Sequence, residues 1–118
     1  MTGKRGEDLA ARHLRALGWR IVERNWRCSQ GELDIVALEP RPDGAPARVV
    51  AVEVKTRSGS GYGDPLEAIT VAKLRRLRGL ATRWYREHPG VGQGLRLDAV
   101  GIVKPVGMAP MLTHVRGL

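Results

Sequence analysis

Charged residues set inside apolar strands constrain this chain more than any other feature. Residues 33–38 and 49–54 form two strand-like apolar runs, joined by the Pro/Gly-rich turn of residues 39–47. Asp34, Glu53 and Lys55 stand in or directly after these runs. A charge in a buried strand is costly unless it is paired or holds an ion. The period of two along a strand places Glu53 and Lys55 on one side, one step apart. The short connection between the runs predicts an antiparallel pair, which would bring Asp34 toward Glu53. The same alternation predicts Leu33, Ile35 and Ala37 on one face, with Glu32, Asp34, Val36 and Leu38 on the other. Residues 48–56 are apolar on both faces, as a central strand should be.

The rest of the chain supplies elements to flank this pair. Residues 3–17 read as an amphipathic helix in which Glu7, Ala10, Ala11, Leu14 and Leu17 share a face. Glu7 has two readings here. It is either a first-turn acid complementing the helix dipole or a carboxylate aimed at the strand pair. Residues 19–26 read as a strand, with Trp19, Ile21 and Glu23 on one side and Val22, Arg24 and Trp26 nearer the other. Arg24, Trp26 and Arg27 could stack on nucleic acid, or Trp26 could pack on the core. Residues 57–63 read as a Gly/Ser loop that lacks the Gly-Lys-Ser/Thr of a P-loop.

Asp64-Pro65-Leu66-Glu67 carries an N-cap, a proline at the first helical position and a capping-box acid. It predicts one helix running to about Glu87, with an apolar stripe of Leu66, Ile69, Leu77, Leu80 and Trp84. Lys73 interrupts that stripe, and Arg75, Arg76, Arg78, Arg83 and Arg86 decorate the remainder. A last core strand over 94–103 contains Arg96 and Asp98, whose i, i+2 spacing predicts an ion pair. Residues 111–115 could add a short edge strand.

These 118 residues suggest one domain, with its core over 3–104 and a short tail over 105–118. No run reaches the ~20 apolar residues of a membrane span, and the N-terminus has no apolar leader. The single cysteine, Cys28, fits a reducing compartment, so a cytoplasmic location is expected. The net charge of +8 suggests a polyanionic partner, although sixteen Arg against four Lys also fits a compositional bias. Two carboxylates and a lysine at strand ends suit phosphodiester hydrolysis. Hard oxygen ligands bind Mg²⁺ or Mn²⁺, and an adjacent ammonium stabilises developing charge.

Gly6-Glu7-Asp8-Leu9-Ala10-Ala11, Asn25-Trp26-Arg27, Gly31-Glu32-Leu33-Asp34-Ile35-Val36-Ala37, Val52-Glu53-Val54-Lys55-Thr56-Arg57, Lys73 followed by Arg76-Leu77, and Arg96-Leu97-Asp98 together resemble the YraN-like family of small bacterial proteins. That family is similar to the restriction-endonuclease-like (PD-(D/E)xK) superfamily, in particular archaeal Holliday-junction resolvases. The resemblance implies an α/β fold with a central mixed β-sheet flanked by helices. It implies Asp34 and Glu53 as metal ligands, with the Val54 backbone carbonyl a third. It also implies Lys55 as the catalytic lysine and Glu7 as the helix carboxylate assisting them. Lys73 and Asp98 match family positions without an assigned role. The superfamily's proline before the metal-binding acid is Leu33 here. The expected activity is Mg²⁺-dependent cleavage of DNA, branched or damaged, with Arg24, Arg27, Arg57, Lys73 and Arg76 as candidate nucleic-acid-binding residues and a homodimer for two-fold substrates. The competing expectation is a non-catalytic nucleic-acid-binding module.

Overall fold

The computed structural model describes residues 3–58 and 64–118. Two helices cover opposite faces of a five-stranded mixed sheet. In chain order these are α1 (Gly3–Ala16), β1 (Arg20–Cys28), β2 (Gly31–Glu39), β3 (Arg48–Ser58), a one-turn 3-10 helix (Pro65–Ala68), α2 (Val71–Glu87), β4 (Leu95–Lys104) and β5 (Met111–Arg116). The strands lie in sequence order across the sheet, and only the β3–β4 pair is parallel. A parallel pair needs a crossover, and here the crossover carries α2.

The middle strand, β3, is buried on both faces, as its composition predicts. Val50, Val52 and Val54 pack toward α1, against Ala10, Ala11 and Leu14. Val49 and Ala51 pack toward α2, against Leu77, Leu80, Ala81 and Trp84. The two-residue period then carries Glu53 and Lys55 to the α2 face. Gly6 lets α1 approach this strand closely, because a Cβ there would collide with the Thr56 methyl. Gly101 does the same for the 3-10 helix, since its Cβ would lie 3.0 Å from Pro65 and 3.1 Å from Leu66.

Four expectations need correction. The single helix from Pro65 is two elements. Asp64 caps only the 3-10 turn, accepting from the Leu66 amide at 2.9 Å. The chain then extends through Ile69, and Thr70 caps α2 by accepting from the Lys73 amide at 3.2 Å. The β-branched run Ile69-Thr70-Val71 favours this break. Second, Leu33 does not share a face with Ile35 and Ala37. It packs in the α2 layer, while those two pack in the α1 layer. Third, Glu23 does not share the side of Ile21. A bulge between Ile21 and Glu23 inserts a residue, turning Glu23 to α2, where its Oε1 accepts from Trp84 Nε1 at 2.8 Å. Arg24 consequently turns toward α1. Fourth, Arg57 and Ser58, expected in a loop, extend β3, and the remainder of that expected loop lies outside the described residues.

The tail is part of the fold. Strand β5 pairs with β4, and Asp98, fully buried, ties the two together. Its carboxylate accepts from Arg96 at 2.7 and 3.0 Å, from the Gly117 amide at 3.1 Å and from His114 Nε2 at 2.8 Å. Burial would raise this carboxyl, but the hydrogen bonds from His114, Arg96 and Gly117 outweigh it and hold it at about 2. An ionised Asp98 only accepts, so His114 Nε2 donates to it, and His114 Nδ1 lies 3.0 Å from His13 Nε2 on α1. Burial, His114 and Arg116 push His13 below the usual imidazole range. The Arg96–Asp98 pair was legible from spacing; the two histidines, distant in sequence, were not.

Removing the Asp98 carboxylate leaves His114 Nε2 and the Gly117 amide without an acceptor, while Arg96 keeps Glu39 at 2.8 Å. Asp98→Ala should therefore cost about 2–4 kcal/mol of unfolding free energy, measured by urea denaturation at pH 7. A depressed carboxyl stabilises the fold above its unfolded value of 3.8. The difference between wild type and variant should shrink as pH falls from about 4 toward 2.

Candidate functional site

The ladder between β2 and β3 ends at the Ile35–Val52 pair. Beyond it the strands part, and the Asp34 side chain replaces the missing backbone partner. Its Oδ2 accepts from the Val54 amide at 2.8 Å. An extended residue points its N–H and C=O to the same edge, so the Val54 carbonyl faces this gap as well. On the other side of β2, Asn25 lies between the Arg24–Ile35 and Trp26–Leu33 pairs. It adopts a left-handed conformation (φ 56°), rare for a residue other than glycine but tolerated by asparagine. These irregularities sit where β2 changes the face it buries, between Leu33 and Ile35.

The parted strands form one wall of a cleft enclosing about 340 Å³. Glu32, Asp34, Glu53 and Lys55 come from the sheet; Ile69, Lys73, Arg76 and Leu77 come from the opposite wall. Acids and one ammonium thus face two further cations, both positioned by the start of α2. Lys55 Nζ lies 3.3 Å from Glu53 Oε1, so the predicted same-side placement holds. Burial first, and then the Glu53 carboxylate, push the Asp34 carboxyl up to about 7; Glu7 and Glu32 add to the rise, and the Val54 amide opposes it.

Other expected site residues are placed elsewhere. Glu7 is buried, 8% exposed, yet it lines a different depression, with Lys4, Asp8, Arg24, Asn25 and Arg27. Its Oε1 accepts from Arg24 Nε at 3.0 Å and from Asn25 Nδ2 at 3.1 Å. Its charge still reaches Asp34, as the raised carboxyl shows. Arg24 is engaged by both Glu7 and Asp8, and Arg27 pairs with Glu32 at 3.0 Å. Arg57 is exposed near the end of β3 and lines neither concavity.

The donor set suits a hard cation in part. Two carboxylates and one backbone carbonyl face the gap, and the open cleft leaves room for water or phosphate oxygens to complete a shell. Among the described residues, no group of three His, Cys, Asp or Glu side chains gathers to hold a metal. Any ion would therefore depend on the backbone and on oxygens from outside the chain. Sequence reasoning missed Asn25 as the residue orienting Glu7 and Thr70 as the one starting the helix behind Lys73. An asparagine before an aromatic strand residue, and a threonine three residues ahead of Lys73, were the available signals.

Residues 6–102 match the Uncharacterised protein family UPF0102. The chain belongs to the UPF0102 family. A UPF0102 protein of Renibacterium salmoninarum is 51% identical over 116 residues, covering 98% of this chain and 93% of that protein. One from Clavibacter michiganensis is 48% identical over 114 residues, covering 97% and 92%. One from Mycobacterium tuberculosis is 44% identical over 119 residues, covering 98% and 90%. The matched span runs from α1 into β4 and so includes both walls of the cleft. Among the described residues, no helix is long and apolar enough to cross a membrane.

A carboxyl raised on folding destabilises the protein once it ionises. Between pH 3.8 and about 7 the native state holds a proton that the unfolded chain has lost, so unfolding becomes easier as pH rises. Asp34→Asn keeps the acceptor for Val54 and removes the charge. In metal-free buffer it should melt higher than wild type at pH 8, a gain on the order of 1–2 kcal/mol, and close to wild type at pH 4.

Proposed function

We propose that this protein is a divalent-metal-dependent phosphodiester hydrolase acting on DNA, built on a restriction-endonuclease-like sheet. One observation carries the reading: Asp34 and Glu53 share a cleft with Lys55, opposite Lys73 and Arg76. A structural role gives no reason to place Asp34 where burial first, and the Glu53 carboxylate second, raise its carboxyl to about 7. A cleft that receives a cation gives one, because the cation offsets both charges.

In this reading the Asp34 and Glu53 carboxylates and the Val54 carbonyl hold Mg²⁺ or Mn²⁺. The bound ion would neutralise the acids and polarise the phosphate oxygens. Lys55 orients the attacking water and donates a hydrogen bond to the charge that grows on the phosphoryl oxygens. Lys73 and Arg76 hold flanking phosphates from the α2 wall. Water oxygen bonds to phosphorus in line with the departing sugar oxygen. The P–O bond breaks; the attacking water gives one proton to solvent, and the leaving oxygen takes one from solvent. Glu7, held by Arg24 and Asn25, acts from behind Asp34 through its charge. A branched substrate cut symmetrically would call for a two-fold pair of chains.

The Lys55–Glu53 contact supports a second reading, in which the ammonium permanently occupies the cation's place and the protein binds nucleic acid without cutting it. Metal titration separates the two. Calorimetry with Mn²⁺ should give a saturable heat for wild type that Glu53→Ala abolishes. Binding should strengthen as pH rises through about 7, because the ion displaces the Asp34 proton. Purified protein with Mg²⁺ or Mn²⁺ should cut branched, flapped, single-stranded or duplex DNA, and Asp34→Ala or Lys55→Ala should lower the rate by ~10²-fold or more. Nucleic-acid binding with no metal heat and no turnover would establish the second reading.

A further inference from the structure

The outer face of α2 carries a feature that neither the core nor the cleft uses. Leu77, Leu80, Ala81 and Trp84 are the buried residues of this helix. Arg75, Gly79, Thr82 and Arg86 follow the i, i+4, i+7, i+11 spacing and so form one stripe on the far side. Arg76 and Arg83 flank it on the edge nearer the cleft. Gly79 sits mid-helix, exposed, with nothing within 4 Å of where its Cβ would be. Packing therefore gives no reason for a glycine, which disfavours a helix interior relative to almost any other residue. Its bare backbone floors a shallow trough walled by Arg78, Thr82, Arg83, Arg86 and Glu87, the last of these paired with Arg83.

The arginines divide into two kinds. Arg83 is oriented by Glu87 at 3.0 Å and lies over the Trp26 ring, and Arg78 donates to the Leu118 carbonyl oxygen at 3.0 Å. Arg75 and Arg86, at the two ends of the stripe, form no ion pair among the described residues. From Arg75 to Arg86 the helix rises about 16 Å, the axial span of four to five phosphates on one duplex strand.

We infer that the outer face of α2 is a docking surface for the sugar–phosphate backbone of a nucleic acid. The chain lies across Gly79, with Arg75 and Arg86 as its terminal phosphate contacts. Charge complementarity selects a polyanion. The missing side chain at the centre admits a continuous backbone against the helix rather than isolated ions at its rim. Arg76, which also lines the cleft, joins this track to the acidic site. The inference deepens the nucleic-acid reading above but does not depend on cleavage.

Its test uses the full chain carrying Asp34→Asn, in EDTA, with a fluorescent 20-base-pair duplex over a salt series. Vesicles of phosphatidylglycerol serve as the alternative polyanion. The pair Arg75→Gln/Arg86→Gln should weaken duplex binding about tenfold or more and lower the log–log salt slope by about 1.5–2, since each lost phosphate contact removes about one unit. Arg12→Gln/Arg15→Gln on α1 removes the same charge and should leave the slope near that of the parent. Gly79→Gln should weaken binding about fivefold or more while the melting temperature holds or rises, because Gln is the better helix former. Equal slopes for the two double variants would overturn the inference, as would parental affinity for Gly79→Gln. Loss of vesicle binding alone would overturn it in favour of a lipid surface. Metal-dependent cutting with an insensitive slope would remove this surface and leave the hydrolase reading standing. A sensitive slope without cutting would do the reverse.

Discussion

One hydrogen bond, from the Val54 amide to the Asp34 carboxylate, joins β2 and β3 where their ladder has ended. Without an acceptor there, a half-buried amide would lose its partner and the strand ends would separate further. With it, the gap stays open at a fixed width. The side chain that closes the ladder brings a negative charge to a place already close to Glu53. The strain in the cleft is therefore electrostatic and follows from how the sheet is held together. Burial first, and then the nearby Glu53 carboxylate, raise the Asp34 carboxyl, and Lys55 offsets the Glu53 charge from 3.3 Å.

The opposite wall depends on where α2 begins. Had the helix continued from Pro65, Lys73 would have had no fresh N-terminus two residues behind it. The break at Ile69 and the cap at Thr70 start the helix anew, so its first turn, with Lys73 in it, lies beside the parted strands. Gly101 holds the preceding turn down on β4, which fixes the start of the helix against the sheet. Both walls are thus positioned by close contacts to the parallel β3–β4 pair, the most deeply buried part of the molecule.

What could be read from residues alone follows from this arrangement. β3 keeps strict alternation, so Glu53 and Lys55 were assigned to one side correctly. β2 does not, because Asn25 takes a left-handed backbone and β1 carries a bulge, and both depend on pairing between strands. Leu33 and Glu23 therefore appeared on the wrong faces. The Asp64-Pro65 start was a true cap, but of a single turn; propensity could not say that Thr70 would cap again. The Asp98 cluster was visible as a pair and hidden as a network, since His13 and His114 meet only through tertiary packing. Sequence placed the cleft's acids and its lysine, and placed Glu7 on an inward face, but could not tell that this face looks onto Arg24 and Asn25 instead of the cleft.

Most residues in this chain agree with the local structure they occupy, and a few do not. Asp34 is an acid in a strand, Asn25 is a non-glycine residue in left-handed backbone, and Gly79 is a glycine in a helix. Each costs free energy that the fold alone does not require, for an Asn, a Gly and an Ala would suit the three positions better. Asp34 lines the acidic wall of the cleft, Asn25 lies beside Glu7 in the separate depression, and Gly79 lies on the outer face of α2. In the proposed reading, costs that packing leaves uncompensated on these surfaces are accounted for by what the surfaces bind. Under the proposed function, a chain with negative charge of its own, accompanied by a cation, would relieve the acids of the cleft and engage the arginines of α2 together.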